Sequence, residues 1–186
     1  MVSIIVVNFN TFSITKKCIY SIISNTTVEH EIILVDNAST ECDCDDFKKE
    51  FPKIKLIKSA YNCGFAKANN LGISKAEGDY ILLLNSDTVL LNNAIDLSYQ
   101  RLISDETIGV LACQTTGADG NYQHVIADYN TISGFLAWSF KLHKIFKTLK
   151  PRTFDPKEEH EGDWVSGAFF FFPRKVLNSF PDKVFP

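Results

Sequence analysis

The sequence predicts an α/β fold with a mostly parallel central sheet flanked by helices, and three observations in the 186-residue chain predict it. Four short apolar runs lack the alternation of a half-exposed strand, so each reads as a strand buried on both faces. Amphipathic stretches at helical spacing lie between those runs, and strands alternating with helices build parallel sheets covered by helices. After about Thr115 the alternation fails, which predicts an irregular second half.

The elements follow in order. "VSIIVVNF" is a continuous β-branched run and forms the first strand. Ile14, Cys18, Ile22 and Ile23 then recur at helical spacing, with Thr11 or Ser13 available as the N-cap. "EIILVD" is the second buried strand, and "IKLIK", after Pro52, a shorter third. Phe65 to Ala76 reads as a helix rich in small residues, stopped by Gly78. "YILLL" is the fourth strand; Ile95, Tyr99, Leu102 and Ile103 mark another amphipathic helix, followed by a strand in "IGVLAC". Beyond it, "TTGADGNYQ" is turn-rich, residues 134–152 are basic and aromatic, and "TFDPKEEHEGD" is a polar loop in which His160 is solvated. Phe169 to Phe172 read as a core strand. One domain is expected over residues 1–186, since a chain of this length buries roughly 70% of its unfolded surface.

Composition excludes several classes. With 45% hydrophobic and 22% charged residues, a packed domain is expected instead of disorder. Nineteen basic against 22 acidic residues give a formal charge of −3, which offers no field for nucleic acid, so an anionic partner must be held locally. The five cysteines are odd in number and scattered. Cys42 and Cys44 form a lone C-x-C, which supports neither a zinc site nor a disulfide framework, and reduced thiols in a cytoplasmic protein are the simpler account. No basic stretch precedes the first apolar run, unlike a signal peptide, and no run is long enough to span a bilayer.

Each strand ends in a polar cluster. The first ends in Asn8-Phe9-Asn10, the second in Asp36-Asn37-Ala38-Ser39, the third is followed by Tyr61-Asn62-Cys63-Gly64, and the fourth by Asn85-Ser86-Asp87-Thr88. In a parallel sheet these clusters share the C-terminal edge, where open α/β sheets bind ligands. Neither G-x-G-x-x-G nor G-x-x-x-x-G-K-[ST] is present, and no arginine cluster stands at the strand ends. An anionic ligand here needs a divalent cation, for which Asp87 is a suitable hard oxygen ligand. Asp36 suits the imide N–H of a pyrimidine or a ribose hydroxyl. The plainer readings are a turn or capping role for Asp87, a helix cap for Asp36, and backbone pairing for Asn69 and Asn70.

"VSIIVVNFN", "VDNAS", "NCGFAKANNLGI", "LLLNSDT" and "WVSGAFFFFPRKV", in this order and at these separations, resemble glycosyltransferase family 2, most closely its rhamnosyltransferase-like branch. The resemblance implies a glycosyltransferase A fold, Mg²⁺ or Mn²⁺, inversion at the anomeric carbon, and a UDP- or dTDP-linked sugar donor. It also implies a glycan or lipid-linked acceptor, as in bacterial surface polysaccharide synthesis. Residues 1–114 would form the nucleotide-sugar half and 115–186 the acceptor side. By position, Asn8 and Asn10 would lie on the loop cradling the nucleoside, and Asp36 would face the base. Asn62, Gly64, Phe65, Ala66, Asn69 and Asn70 would lie in the donor-binding segment. Asn85-Ser86-Asp87 replaces the family's Asp-x-Asp, leaving Asp87 as metal ligand. Trp164, Ser166, Gly167 and Ala168 would lie near the transferred sugar and acceptor. The family's acidic pair, which supplies the general base, has no match up to Pro186, so that base is expected beyond it; Asp163 is a poor substitute. Two rivals stay open: a catalytically inactive donor-binding module, and a nucleotidyltransferase, which would want glycines that "NFNTFSITKK" lacks. Residues 134–152, with five cations and no acid among many apolar side chains, suit either a packed helix or a peripheral contact with anionic lipid at the inner face of the plasma membrane.

Overall fold

A computed structural model describes residues 1–128, 154–180, 182 and 184. The basic, aromatic segment 134–152 lies outside the described residues. The described chain forms two compact units, Met1–Cys113 with Gly167–Pro186, and Gln114–Ser166.

In the first unit the elements run β1 (Val2–Asn8), α1 (Phe12–Asn25), β2 (His30–Asp36), α2 (Asp45–Glu50), β3 (Lys55–Lys58), α3 (Phe65–Ile73), β4 (Tyr80–Asn85) and α4 (Ala94–Ser104). The second unit contributes β5 (Ile126–Ala127) and β6 (Trp164–Val165), and the chain returns to the first unit in β7 (Phe169–Pro173) and a 3₁₀ turn at Arg174–Ser179. The main sheet has the order β3-β2-β1-β4-β7. β1 pairs in parallel with β2 and β4, β2 in parallel with β3, and β7 runs antiparallel to β4 with Leu82 opposite Phe171. β5 and β6 form a separate antiparallel pair.

The absence of alternation in the strand sequences has its cause in the packing. Ile4, Val6, Leu34, Leu82, Leu84 and Phe171 point to one face, where they meet Cys18, Ile19 and Ile22 of α1, Phe47 of α2, and Ile95 and Leu102 of α4. Ile5, Ile33, Val35, Ile81, Leu83 and Phe172 point to the other, against Ala68 and Ile73 of α3 and Leu177. Successive residues of a strand point to opposite faces, so a sheet covered on both sides needs apolar residues at every position.

Three sequence expectations change. The "IGVLAC" run is not a strand: only Leu111 joins the sheet, exchanging both backbone bonds with Phe171 at 2.7 and 2.9 Å. It lies at the sheet's margin and is half-buried, so no continuous ladder forms there. α2 was not foreseen, because "DDFKKE" is too short and polar to show a period; its one buried residue is Phe47. α3 ends at Ile73, ahead of the expected Ala76, with Ser74 N–H donating to Asn70 O. Gly78 therefore does not cap the helix. A Cβ on it would stand 2.7 Å from Met1 O and 2.8 Å from Ser3 N, so it is glycine because two backbones approach closely. Thr11 does occupy the N-cap position of α1, but its hydroxyl turns away to Asn8, and the Glu41 carboxylate accepts the Phe12 N–H instead.

Candidate functional site

Because β1 to β4 are parallel, the four polar clusters stand at one edge of the sheet. The strand order reverses direction at β1, since the chain moves outward to β2 and β3 and then returns to β4 on the other side. The crevice at such a reversal is where open α/β sheets bind ligands. Asn8 and Asn85, at the ends of β1 and β4, flank it.

Asn8 is fully buried. Its Nδ2 donates to Asp36 Oδ1 at 2.8 Å and to Ser39 Oγ at 2.9 Å. Its Oδ1 accepts the hydroxyls of Thr15 at 2.8 Å and Thr11 at 3.0 Å. Asp36 is 3% exposed, and its second oxygen accepts the Ser39 N–H at 3.1 Å. Each carboxylate oxygen keeps acceptor capacity after these bonds. Asn10 is exposed and holds the neighbouring turn, its Oδ1 accepting the Thr40 N–H at 2.8 Å and its own N–H reaching Ser39 Oγ at 3.0 Å. Asn10 and Ala38 both have left-handed backbone, φ 52° and 65°. Asparagine tolerates that region, whereas an alanine there is strained by about 1–2 kcal/mol, a cost that tends to concentrate in functional loops.

The loops after β2 and β3 are joined by side chains. Asn37, buried, donates from Nδ2 to Asn62 Oδ1 at 2.9 Å and accepts the Cys63 N–H at 3.0 Å. Asn62 Oδ1 also accepts the Gly64 N–H at 3.0 Å. Gly64 has φ 81° and ψ 168°, a conformation that is essentially glycine-only, while a Cβ there would meet nothing within 4 Å. Conformation, not space, requires this glycine. Phe65 and Ala66 follow on the first turn of α3, Phe65 half-exposed. Asn69 is buried and donates to Phe65 O at 3.0 Å, and Asn70 is half-buried beside it on α3. The buried Asn8 thus spends its whole amide on the protein, while Asn69 donates one bond back to its own helix.

At the end of β4, the Asn85 N–H bonds Ala168 O at 3.0 Å, and Asn85 O accepts the Thr88 N–H at 3.2 Å and its hydroxyl at 2.7 Å. This turn presents Asp87 to solvent with no hydrogen bond or ion pair among the described residues. Ser86 Oγ lies 3.5 Å from Thr11 Oγ1. Beneath the turn, burial pushes the Cys18 thiol up to about 12, with the Asp87 charge adding to the effect, so Cys18 is inert packing.

The residues expected on the acceptor side divide between the units. Gly167 and Ala168 belong to the first, where Ala168 is tied to Asn85. Trp164 and Ser166 belong to the second: Trp164 is half-exposed on β6 and the Ser166 N–H bonds Val125 O at 2.7 Å. Asp163, also in the second unit, is exposed, with its N–H on Ala127 O.

Among the described residues no group of three or more His, Cys, Asp or Glu side chains could hold a metal. Asp87 alone fits an ion that takes most of its coordination from phosphate oxygens and water, as Mg²⁺ usually does. Sequence reasoning missed Asn37, Ser39, Thr11 and Thr15 as members of the network. The nearest signal was the density of Asn, Ser and Thr after β1 and β2, but direction of side chains at a strand's last residue is not written in composition.

The fold, a parallel sheet with an antiparallel β7 edge and a polar reversal crevice, is that of the glycosyltransferase A class. TarS of S. aureus, solved with UDP-GlcNAc, superposes with a TM-score of 0.64 at 18% identity, covering 100% of this chain and 48% of TarS. The mannosyltransferase PcManGT from Pyrobaculum calidifontis, solved with GDP-Man and Mn²⁺, superposes with a TM-score of 0.65 at 16% identity, over 100% of this chain and 47% of that one. The glycosyl transferase family 2 model matches residues 3–177, and the chain belongs to that family. It is 33% identical over 105 residues to glycosyltransferase GlyG of Streptococcus pneumoniae serotype 4, which covers 55% of this chain and 35% of that protein. The chain therefore spans about a third of that relative's length. No helix among the described residues is long and apolar enough to cross a membrane.

Proposed function

We propose that this chain transfers a sugar, with inversion, from a UDP- or dTDP-linked donor to a glycan or lipid-linked acceptor in bacterial surface polysaccharide synthesis. The observation that carries the reading is Asp87, an exposed carboxylate without a protein partner among the described residues, at the strand end beside the reversal crevice of a family 2 chain. The nucleotide sugars bound by TarS and PcManGT support the class of donor.

In this mechanism Asp36 uses its remaining lone pairs on the base imide or a ribose hydroxyl and so orients the nucleoside. Asp87 would hold Mg²⁺ or Mn²⁺ together with the diphosphate. Such an ion, when bound, neutralises charge growing on the departing diphosphate. An acceptor hydroxyl attacks the anomeric carbon from the opposite side, losing its proton to a carboxylate in hydrogen-bond reach. Asp163 is the described carboxylate to replace first in seeking that base. The basic, aromatic residues 134–152 are assigned to peripheral contact with anionic lipid at the cytoplasmic face, where each cation contributes about 1 kcal/mol.

Release of nucleoside diphosphate from UDP- and dTDP-sugars tests the reading. Turnover that rises with Mn²⁺ and is lost in Asp87→Ala is expected. Nucleotide binding without turnover of any donor leaves a binding module, and failure to bind UDP, dTDP or GDP in the presence of Mn²⁺ overturns the proposal.

A further inference from the structure

The buried carboxamide of Asn8 is satisfied at every polar position. Two hydrogens go to Asp36 Oδ1 and Ser39 Oγ, and the oxygen accepts from Thr11 and Thr15. A carboxylate carries only acceptors, so the amide nitrogen is the atom that must face Asp36. The two threonine hydroxyls fix the opposite end. Asp36 receives one bond on each oxygen, from Asn8 and from the Ser39 backbone, and no cation is paired with it among the described residues. A carboxylate this enclosed, 3% exposed, cannot swing to find a ligand, and its orientation depends on the donors aimed at it.

We propose that Asn8 is a positioning residue for the donor nucleotide: it does not touch the ligand, but holds Asp36 in the one orientation from which it meets the nucleoside. This rests on the reading of Asp36 as the nucleoside contact. The same side chain reaches the other half of the crevice through Thr11, whose Oγ1 lies 3.5 Å from Ser86 Oγ, at the outer limit of a hydrogen bond. Asn8 therefore joins the base-side carboxylate to the turn that carries Asp87.

Other titratable groups around Asp36 leave this assignment testable by pH. The Cys42 and Cys44 thiols are raised above 9.0, by burial first and then by neighbouring acids including Asp36, so both stay protonated below pH 8. Lys58, at the end of β3, is raised above 10.5, chiefly by its bond to Asp45, and stays charged. Glu41 lies on the same loop with its carboxylate on the Phe12 N–H. All four are present in wild type and variants alike, and cancel in the comparison.

Asn8→Asp is nearly isosteric but replaces the two N–H donors with acceptors. When ionised, the introduced carboxylate repels Asp36; when protonated, it offers a donor again. UDP binding with Mn²⁺ is measured by calorimetry from about pH 8 down to about pH 5.5 in wild type, Asn8→Asp and Asn8→Ala, with a thermal melt at each pH. At the upper pH both variants are expected to bind about tenfold or more weakly than wild type. As the pH falls, Asn8→Asp recovers toward wild type and Asn8→Ala does not. Wild-type affinity of Asn8→Asp at the upper pH, or a weak folded Asn8→Asp without recovery, overturns the inference. Should Asn8→Asp not fold, Asn8→Ala decides alone, and wild-type affinity there overturns it. A wild-type chain that binds no nucleotide overturns the donor reading itself, a result separate from either.

Discussion

Asn37 and Asn62 are hydrogen-bonded Nδ2 to Oδ1 at 2.9 Å, and this contact ties the loop after β2 to the loop after β3. The same Asn62 oxygen accepts the Gly64 N–H, so one atom sets the entry to α3. Asn62→Ala is expected to weaken nucleotide binding several-fold with little change in melting temperature, because Asn62 is exposed and carries no packing. Asn62→Asp keeps the accepting oxygen and should bind close to wild type. Calorimetry and thermal melts of the two variants check this; equal behaviour of both would mean that the oxygen is not what matters.

Asp87 is expected to make nucleotide affinity depend on a divalent ion. In wild type, chelation should lower UDP affinity by an order of magnitude or more, about 1.4 kcal/mol per tenfold. In Asp87→Ala, calorimetry with Mn²⁺ and with chelator should give the same weak value. A variant that keeps the full Mn²⁺ response would remove Asp87 from ion binding.

Two glycines should fail in different ways. Gly64→Ala forces a side chain into φ 81°, ψ 168° at a cost of about 1–3 kcal/mol, and disturbs the edge that carries the site. Gly78→Ala drives a Cβ to within 2.7 Å of Met1 O at the opposite edge, where relief requires backbone movement and costs about 1–3 kcal/mol or more. Both should lower the denaturation midpoint. Only Gly64→Ala should also weaken nucleotide binding in the folded state.

Glu31 links stability to pH. Its carboxylate accepts Ser3 Oγ at 2.6 Å and the Glu77 N–H at 2.7 Å, and pairs with Lys55 at 2.7 Å. Burial, the largest influence, works to raise its pKa, but the bonds to Lys55, Ser3 and Glu77 together outweigh it and hold the group below the ordinary 4.5. A lowered folded pKa contributes stability that is present above the unfolded value and lost as pH falls through the folded one. Glu31→Gln should therefore be less stable than wild type at pH 7 in urea denaturation. The gap should close as the pH drops below 4.5, and a gap constant across that range would contradict the linkage.

β1, β2 and β4 were legible because burial on both faces leaves an unbroken apolar signature, as in Ile81 to Leu84. β3, at the sheet margin, has no fully buried residue and carries Lys55 and Lys58. The shared edge followed from parallel pairing alone, which is why Asn8, Asp36, Asn62 and Asp87 were grouped before any contact was known. What could not be read was direction. Asn8 turns inward to Asp36 whereas Asn10, two residues on, faces solvent, and a left-handed residue between strand and helix is what reverses the periodicity there. The backbone strain at Ala38 has no sequence marker, since alanine is unremarkable in composition and unusual only at positive φ. Gly78 was legible as a glycine with a purpose, but the purpose depends on Met1 and Ser3, which are distant in sequence.

The antiparallel β7 has a consequence for how the protein is made. β4 is complete at Asn85, but its outer neighbour begins at Phe169. A ribosome adding roughly 5–20 residues per second leaves the Leu82–Leu84 edge without its partner for on the order of ten seconds. During that time an apolar strand offers unpaired N–H and C=O groups to any other nascent chain. Phe171 and Phe172 close that edge and cover it on both faces at once, so β7 doubles as protection against self-association during synthesis.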